Sequence, residues 1–363
     1  MNNGIPELKI GNLVAKMPII QGGMGVGISM AGLVSAVANE GGVGVISTVG
    51  IGLLEPGFKK YPKRTNKEAL VKEIRKAKKS TSGIIGLNIM VALSDFDETV
   101  KIALQEKVDV IFLGAGLPLK LPNNITLEEL RKSRLKVFPI VSSARAVKVI
   151  FQSWAKKFNR IPDGIVVEGP MAGGHLGFKF DQIKDPLYSL ETILAEVIRV
   201  KNEFALKFNK SIPVIVGGGI YNGVDIKKFL NLGANGVQMG TRFVATKECD
   251  ASEEFKDLYI KCKKEDIVII KSPLGLFGRA INNKFLQDVA SGLKKPFACP
   301  WKCLKVCDFT KAPYCIGLAL TSAKMGIFKN GFAFAGENAY RIKEIISVRE
   351  LIQSLVKEYQ LSV

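Results

Sequence analysis

Histidine is almost missing from this chain: His175 is the only one in 363 residues. Any imidazole chemistry must therefore pass through one position. Cysteine is absent from the first 248 residues, and four of the six fall between Cys299 and Cys315. An extracellular disulfide framework would rarely be so lopsided in a chain this long, which points to a reducing compartment. No apolar run approaches the roughly 18 residues needed to span a bilayer, so no membrane partner is expected. The stretch Met1–Ile10 has no basic start followed by an apolar segment, so no secretion signal is read and the expected location is cytoplasmic. Acidic side chains are also scarce, 33 against 52 basic ones, for a net charge of +19. Such a field favours anionic partners, from phosphates and nucleotides to acidic proteins. The charge is not gathered in an arginine-rich arm with interleaved aromatics. Its densest stretch, Lys59 to Lys79, is lysine-rich and reads partly as a helix face, so nucleic acid is not an expected partner.

What is present is a regular alternation. Short runs rich in Val and Ile, each ending in Gly or a small polar residue, occur at Pro18–Met24, Gly42–Thr48, Ile84–Met90 and Val110–Gly116. They recur at Lys136–Ser143, Gly164–Gly169, Pro213–Gly219 and Gly236–Phe243. Near-continuous apolar character suits strands buried on both faces of a parallel sheet. Helical stretches separate them: Met30–Asn39, Thr65–Lys79, Glu98–Glu106, Leu127–Lys132, Arg145–Lys157, Ser189–Lys207 and Val224–Leu232. Ser29 is placed to cap the first helix, and Asp225 falls in the opening turn of the seventh. Eight strands alternating with helices predict an α/β fold, a (β/α)8 TIM barrel. A doubly wound open sheet is the alternative, but it would place its glycine-rich nucleotide turn after the first strand. The pattern breaks after the eighth strand. Residues 247–329 read as an inserted lid and substrate region, and Asn338–Glu358 as the last barrel helix. The barrel then comprises residues 1–246 and 330–363.

The chemical signals lie at strand ends. PVIVGGG (Pro213–Gly219) and GVQMGT (Gly236–Thr241) run two buried strands into glycine turns. Glycine allows backbone N–H groups to approach phosphate oxygens, and the Thr241 hydroxyl adds a donor. In barrels, the loops after strands seven and eight commonly hold phosphate. His175 sits in EGPMAGGHLGF (Glu168–Phe178), directly after the sixth strand and flanked by Gly173, Gly174 and Gly177. Histidine suits proton transfer near neutral pH, which makes His175 the candidate catalytic residue. Glu168 reads either as a cofactor contact or as a solvated loop acid.

Taken together, PIIQGGMGVGIS (Pro18–Ser29), the Gly41–Ser47 strand, EGPMAGGHLGF, PVIVGGGI and GVQMGTRF resemble the nitronate monooxygenase family, formerly the 2-nitropropane dioxygenases. The same superfamily holds the FMN-dependent enoyl-acyl-carrier-protein reductases. The resemblance covers about residues 18 to 246 and implies a bound FMN. It implies that Gly22, Gly23 and Met24 lie against the isoalloxazine ring and that Asn88 hydrogen bonds its edge. Ser142 and Ser143 would occupy a flavin-contacting position that is lysine in some members. Glu168 would contact the cofactor, Gly174 would precede the catalytic His175, and Gly218, Gly219, Gly240 and Thr241 would form the phosphate turns; Gly173 and Gly174 join these as cofactor-binding candidates, since glycine lets a flavin ring approach the backbone.

Cys299, Cys303 and Cys307 are spaced so that a helix, with Pro300 in its first turn, would align them on one side. With Cys315 they could bind zinc or an iron–sulfur cluster, yet the usual C-x2-C signatures are absent and small thiols also serve as core. No metal site is assigned. The leading expectation is an FMN-dependent oxidation of an anionic small molecule, an alkyl nitronate, to a carbonyl compound and nitrite. The alternatives are an NAD(P)H-dependent enoyl-thioester reductase served by an acyl carrier protein, and a non-catalytic flavin or phosphate-ligand binding module. The chain could also pair as a homodimer.

Overall fold

The eight apolar runs become the eight strands of a closed parallel barrel. The computed structural model describes residues 4–294, 299, 301–305 and 307–362. After a short antiparallel hairpin of β1 (Leu8–Ile10) and β2 (Leu13–Ala15), the barrel is built from β3 (Ile19–Gln21), β4 (Val43–Ser47), β5 (Ile84–Met90), β6 (Val110–Gly114), β7 (Lys136–Val141) and β8 (Ile165–Glu168). A two-residue strand β9 (Gly174–His175) lies outside it, and β10 (Val214–Gly217) and β11 (Gly236–Met239) complete the ring. Closure is direct, with Val237 of β11 registering against Ile19 of β3.

The period-two pattern of each strand divides its side chains between two cores. Ile20, Val43, Val45, Val110, Phe112, Phe138, Val166 and Ile215 fill the barrel interior, where Leu8 and Ile10 of the hairpin join them. Their neighbours Ile19, Ile85, Ile165, Val167, Val214 and Val216 face outward against the helices. The helices are α1 (Ala31–Asn39), α2 (Pro62–Ser80), α3 (Phe96–Gln105), α4 (Leu127–Lys132), α5 (Ala144–Phe158), α6 (Leu190–Phe208) and α7 (Gly223–Asn231). Gly44 shows how closely the layers meet: a Cβ there would stand 2.1 Å from the Val34 carbonyl oxygen.

After β11 and the single-turn α8 (Thr241–Val244), the chain forms α9 (Glu253–Lys261), β12 (Ile267–Lys271), β13 (Phe277–Ile281), α10 (Lys284–Ala290) and α11 (Ile316–Lys324). Here β12 pairs with β13, and β13 pairs with β9, so this region extends a strand that carries His175. The last barrel helix, α12 (Val348–Leu361), returns to the ring.

Three local expectations are corrected. The hydroxyl of Ser29 accepts the Met24 N–H at 2.8 Å instead of capping α1, whose first N–H groups go to the carboxylates of Asp250 and Glu73. The final helix begins ten residues later than Asn338, where Ser347 and Glu350 form a capping box. Residues 301–305 and 307 are not helical, and Lys302 has φ of 46°, so no helix aligns Cys303 with Cys307. Pro300 lies outside the described residues. All six cysteines are free thiols. Among the described residues, no three His, Cys, Asp or Glu side chains converge to hold a metal ion, and no helix is long and apolar enough to cross a membrane.

Candidate active site

The loops that follow the barrel strands surround a cavity of about 810 Å3. That volume lies within the roughly 300–1,000 Å3 usual for small-molecule and cofactor sites. Every catalytic and cofactor-binding candidate from the sequence lines it: Gly22, Gly23, Met24, Asn88, Ser142, Glu168, Gly173, Gly174, His175, Gly218, Gly219, Gly240 and Thr241. Ser143 also lines it, but its hydroxyl accepts the Ala146 N–H and caps α5, leaving Ser142 as the serine with an uncommitted side chain.

Glycine is required at two of these positions for different reasons. Gly219 leaves β10 with φ of 87°, a conformation that L side chains rarely adopt. Gly23 lies so close to the Asn88 side chain that a Cβ would meet its Cβ at 2.3 Å. Thr241 is prepared as a donor: its oxygen accepts the Gly336 N–H at 3.0 Å, so its own proton remains free.

His175 owes its position to the pairing of β9 with β13. It registers against Gly278 of β13, and the next residue, Leu176, donates its N–H to Phe277 at 2.8 Å. Its ring packs at 5.1 Å from that of Phe334, and its Nε2 is buried without a hydrogen-bond partner. Burial lowers its pKa to about 4, so the imidazole is neutral at physiological pH. The same dry environment has the opposite effect on Glu168, whose pKa burial raises to about 7.

Sequence reasoning missed the side chain that holds this loop. Arg279 of β13 is buried, donates through Nη1 to the carbonyls of Pro170 and Ala172, and pairs through Nε with Glu337 at 2.7 Å. The Glu337 N–H in turn reaches the Met171 carbonyl at 3.1 Å. Arg279 was not identifiable because its partners are two carbonyls more than 100 residues earlier in the chain. The outer part of the cavity is apolar and comes largely from regions without a readable motif: Leu53, Phe58, Leu93, Trp301, Leu304 and Ile316. Trp301 packs edge-on against Phe58 at 5.3 Å, while Cys303 and Lys305 exchange backbone hydrogen bonds with Ser94 and Ala92. These contacts lay residues 301–305 across one side of the cavity mouth.

The nitronate monooxygenase family model matches residues 7–358. A probable nitronate monooxygenase of Staphylococcus aureus strain JH9 is 28% identical over 311 residues, covering 77% of this chain and 79% of that protein. Among solved structures, FabK from Thermotoga maritima superposes with a TM-score of 0.72 at 27% identity, covering 95% of this chain and 93% of that one. Nitroalkane oxidase from Streptomyces ansochromogenes, at 20% identity and a TM-score of 0.70 over 95% of this chain and 96% of its own, shares the fold.

Proposed function

The chain belongs to the nitronate monooxygenase family and is an oxidoreductase of that family, and from that premise we propose that it is an FMN-dependent enzyme oxidising alkyl nitronates and nitroalkanes to carbonyl compounds and nitrite. The observation that carries this reading is the orphaned Nε2 of His175, buried in a cavity ringed by neutral, glycine-rich strand ends. A buried ring nitrogen without a partner costs free energy unless a ligand satisfies it. The remaining lining fits FMN by its chemistry. Gly218, Gly219, Gly240 and Thr241 offer backbone and hydroxyl donors for a terminal phosphate, and Gly22, Gly23 and Met24 leave flat space for a ring. Asn88 and Ser142 supply polar contacts for that ring's edge, and Glu168 for the ribityl chain. When bound, FMN supplies the two-electron acceptor that oxygen then regenerates.

The protein's own contribution is acid–base and electrostatic. For a neutral nitroalkane, the neutral Nε2 accepts the α-proton. The nitronate that forms is an anion beside the new imidazolium, and this pairing offsets the desolvation that disfavours the charged ring. For a preformed nitronate, the other neutral tautomer, with its proton on Nε2, donates a hydrogen bond that orients the anion. The positive net charge of +19 raises the local concentration of anionic substrates.

The apolar outer cavity favours one second reading, NAD(P)H-dependent reduction of an enoyl thioester whose chain would lie along Leu93, Leu304 and Ile316. The first reading is tested by releasing the cofactor with acid, identifying it by chromatography, and measuring nitrite from propyl nitronate in air. FMN and nitrite are the expected products; FAD, or FMN without nitrite from any nitronate, would refute it.

A further inference from the structure

The phosphate turns are electrically neutral, yet a flavin phosphate carries close to two negative charges. Gly218, Gly219, Gly240 and Thr241 offer dipoles only. Next to them in the chain, just outside the residues that line the cavity, is an arrangement with the missing sign. The guanidinium carbons of Arg242 and Arg341 stand 4.4 and 4.0 Å from the centroid of a single ring, that of Tyr221. Arg242 directly follows Thr241, and Tyr221 is two residues beyond Gly219.

Arg341 is brought there by the segment before it. Asn338 donates its side-chain amide to the Gly219 carbonyl at 2.6 Å, and Gly336 donates to Thr241 Oγ1 at 3.0 Å. The same short segment therefore touches both phosphate turns and delivers the second guanidinium.

Neither side chain makes an ion pair or a hydrogen bond with a described residue, and Arg242 Nε is buried without a partner. Two like charges gathered on one half-buried ring repel each other, and the Asp225 carboxylate, which accepts the Tyr221 and Asn222 N–H groups at 2.8 and 3.2 Å, pairs with neither of them. Stacking on the ring face compensates only part of this and leaves the N–H edges open. An anion at the adjoining turns would satisfy both.

We propose that Tyr221, Arg242 and Arg341 form the counter-ion of the flavin phosphate, with the Tyr221 ring holding the two guanidiniums in place next to Gly219 and Thr241. The inference rests on the reading of FMN as cofactor. It makes the phosphate, more than the ring system, the source of cofactor affinity. It also gives the segment 336–341 a binding role that the strand-end motifs do not disclose.

Equilibrium dialysis of the full-length, flavin-free protein with FMN and with riboflavin tests this directly. Riboflavin has the same ring and ribityl chain and lacks only the phosphate, so it reports on folding and on the rest of the cavity. In wild type, FMN should bind much more tightly than riboflavin. Each of Arg242→Gln and Arg341→Gln should lower FMN affinity by about 10-fold or more, the usual scale of a charge-assisted contact. Riboflavin affinity should stay within roughly twofold, because nothing it touches has changed. Arg341→Lys should recover part of the loss by restoring charge without the fork. Unchanged FMN affinity in the double variant, or an equal loss for both flavins, would overturn the proposal. Failure of wild type to bind either flavin would overturn it together with the FMN reading.

Discussion

The pH dependence of proton abstraction separates the two half-buried titratable groups of the cavity. Burial holds the His175 pKa near 4 and lifts that of Glu168 to about 7. With His175 as the base, kcat/KM for a neutral nitroalkane needs only neutral imidazole and should be nearly level from pH 7 down to 5. Its acid limb would fall near pH 4. With Glu168 as the base, the reactive carboxylate would be about half populated at pH 7 and only about 1% at pH 5, a fall of roughly 50-fold. His175→Ala should reduce kcat/KM for the neutral nitroalkane by on the order of 100-fold and for the preformed nitronate by much less, while retaining FMN. The assay is nitrite release from nitroethane and from ethyl nitronate at each pH, with flavin content measured for every sample. A steep fall between pH 7 and 5 in wild type, or equal rates in His175→Ala and wild type on both substrates, would refute the role given to His175.

Other outcomes follow from the same geometry. Replacing Gly219 with Val should weaken FMN binding, because φ of 87° strains an L side chain and a Cβ there meets Met171 Sδ at 3.0 Å; cofactor retention on desalting reads this out. Arg279→Met should destabilise the protein by about 2 kcal/mol or more in urea unfolding, since it strands two carbonyls and Glu337, although partial exposure of Glu337 softens the loss. It should also lower kcat more than it raises KM if the His175 loop is displaced. Stability should itself vary with pH. Between about pH 4 and 6.5 the folded state binds fewer protons at His175 than the unfolded chain, so that contribution strengthens as pH rises. Between about pH 4.5 and 7 the folded state binds more protons at Glu168, so that contribution weakens as pH rises. The opposing slopes nearly cancel in wild type, and His175→Asn should expose the Glu168 slope as a loss of about 2 kcal/mol from pH 5 to pH 7 in urea titrations.

The barrel was legible because each of its strands is buried on both faces and reads as a Val- and Ile-rich run stopped by glycine. Barrel closure then brings the ends of those runs to one rim, so motifs far apart in sequence, such as Gly22–Met24 and Gly218–Gly219, line one cavity. Helix boundaries were less legible where the capping group is remote. The α1 terminus is satisfied by Asp250, 220 residues beyond Met30, and nothing near Ser29 announces this. The segment from α9 to α11 was least legible. Its role depends on β13 pairing with the two residues of β9, on Arg279 reaching back to Pro170 and Ala172, and on Trp301 meeting Phe58. The cysteine spacing suggested a helix, but Leu304 forms an extended bridge with Leu93 instead, and backbone pairing sets the path of that segment.

The central claim is that electrons enter from a nitronate and leave to oxygen, with His175 and the strand-end turns serving that traffic. Anaerobic stopped-flow mixing of the purified, FMN-loaded protein with propyl nitronate, and separately with NADH and NADPH at the same concentrations, tests it most directly. Rapid bleaching of the flavin by the nitronate, slower bleaching by either pyridine nucleotide, and recovery of colour with nitrite release on admitting air are the predicted results. Fast reduction by NADH or NADPH with no reduction by any nitronate would contradict the account.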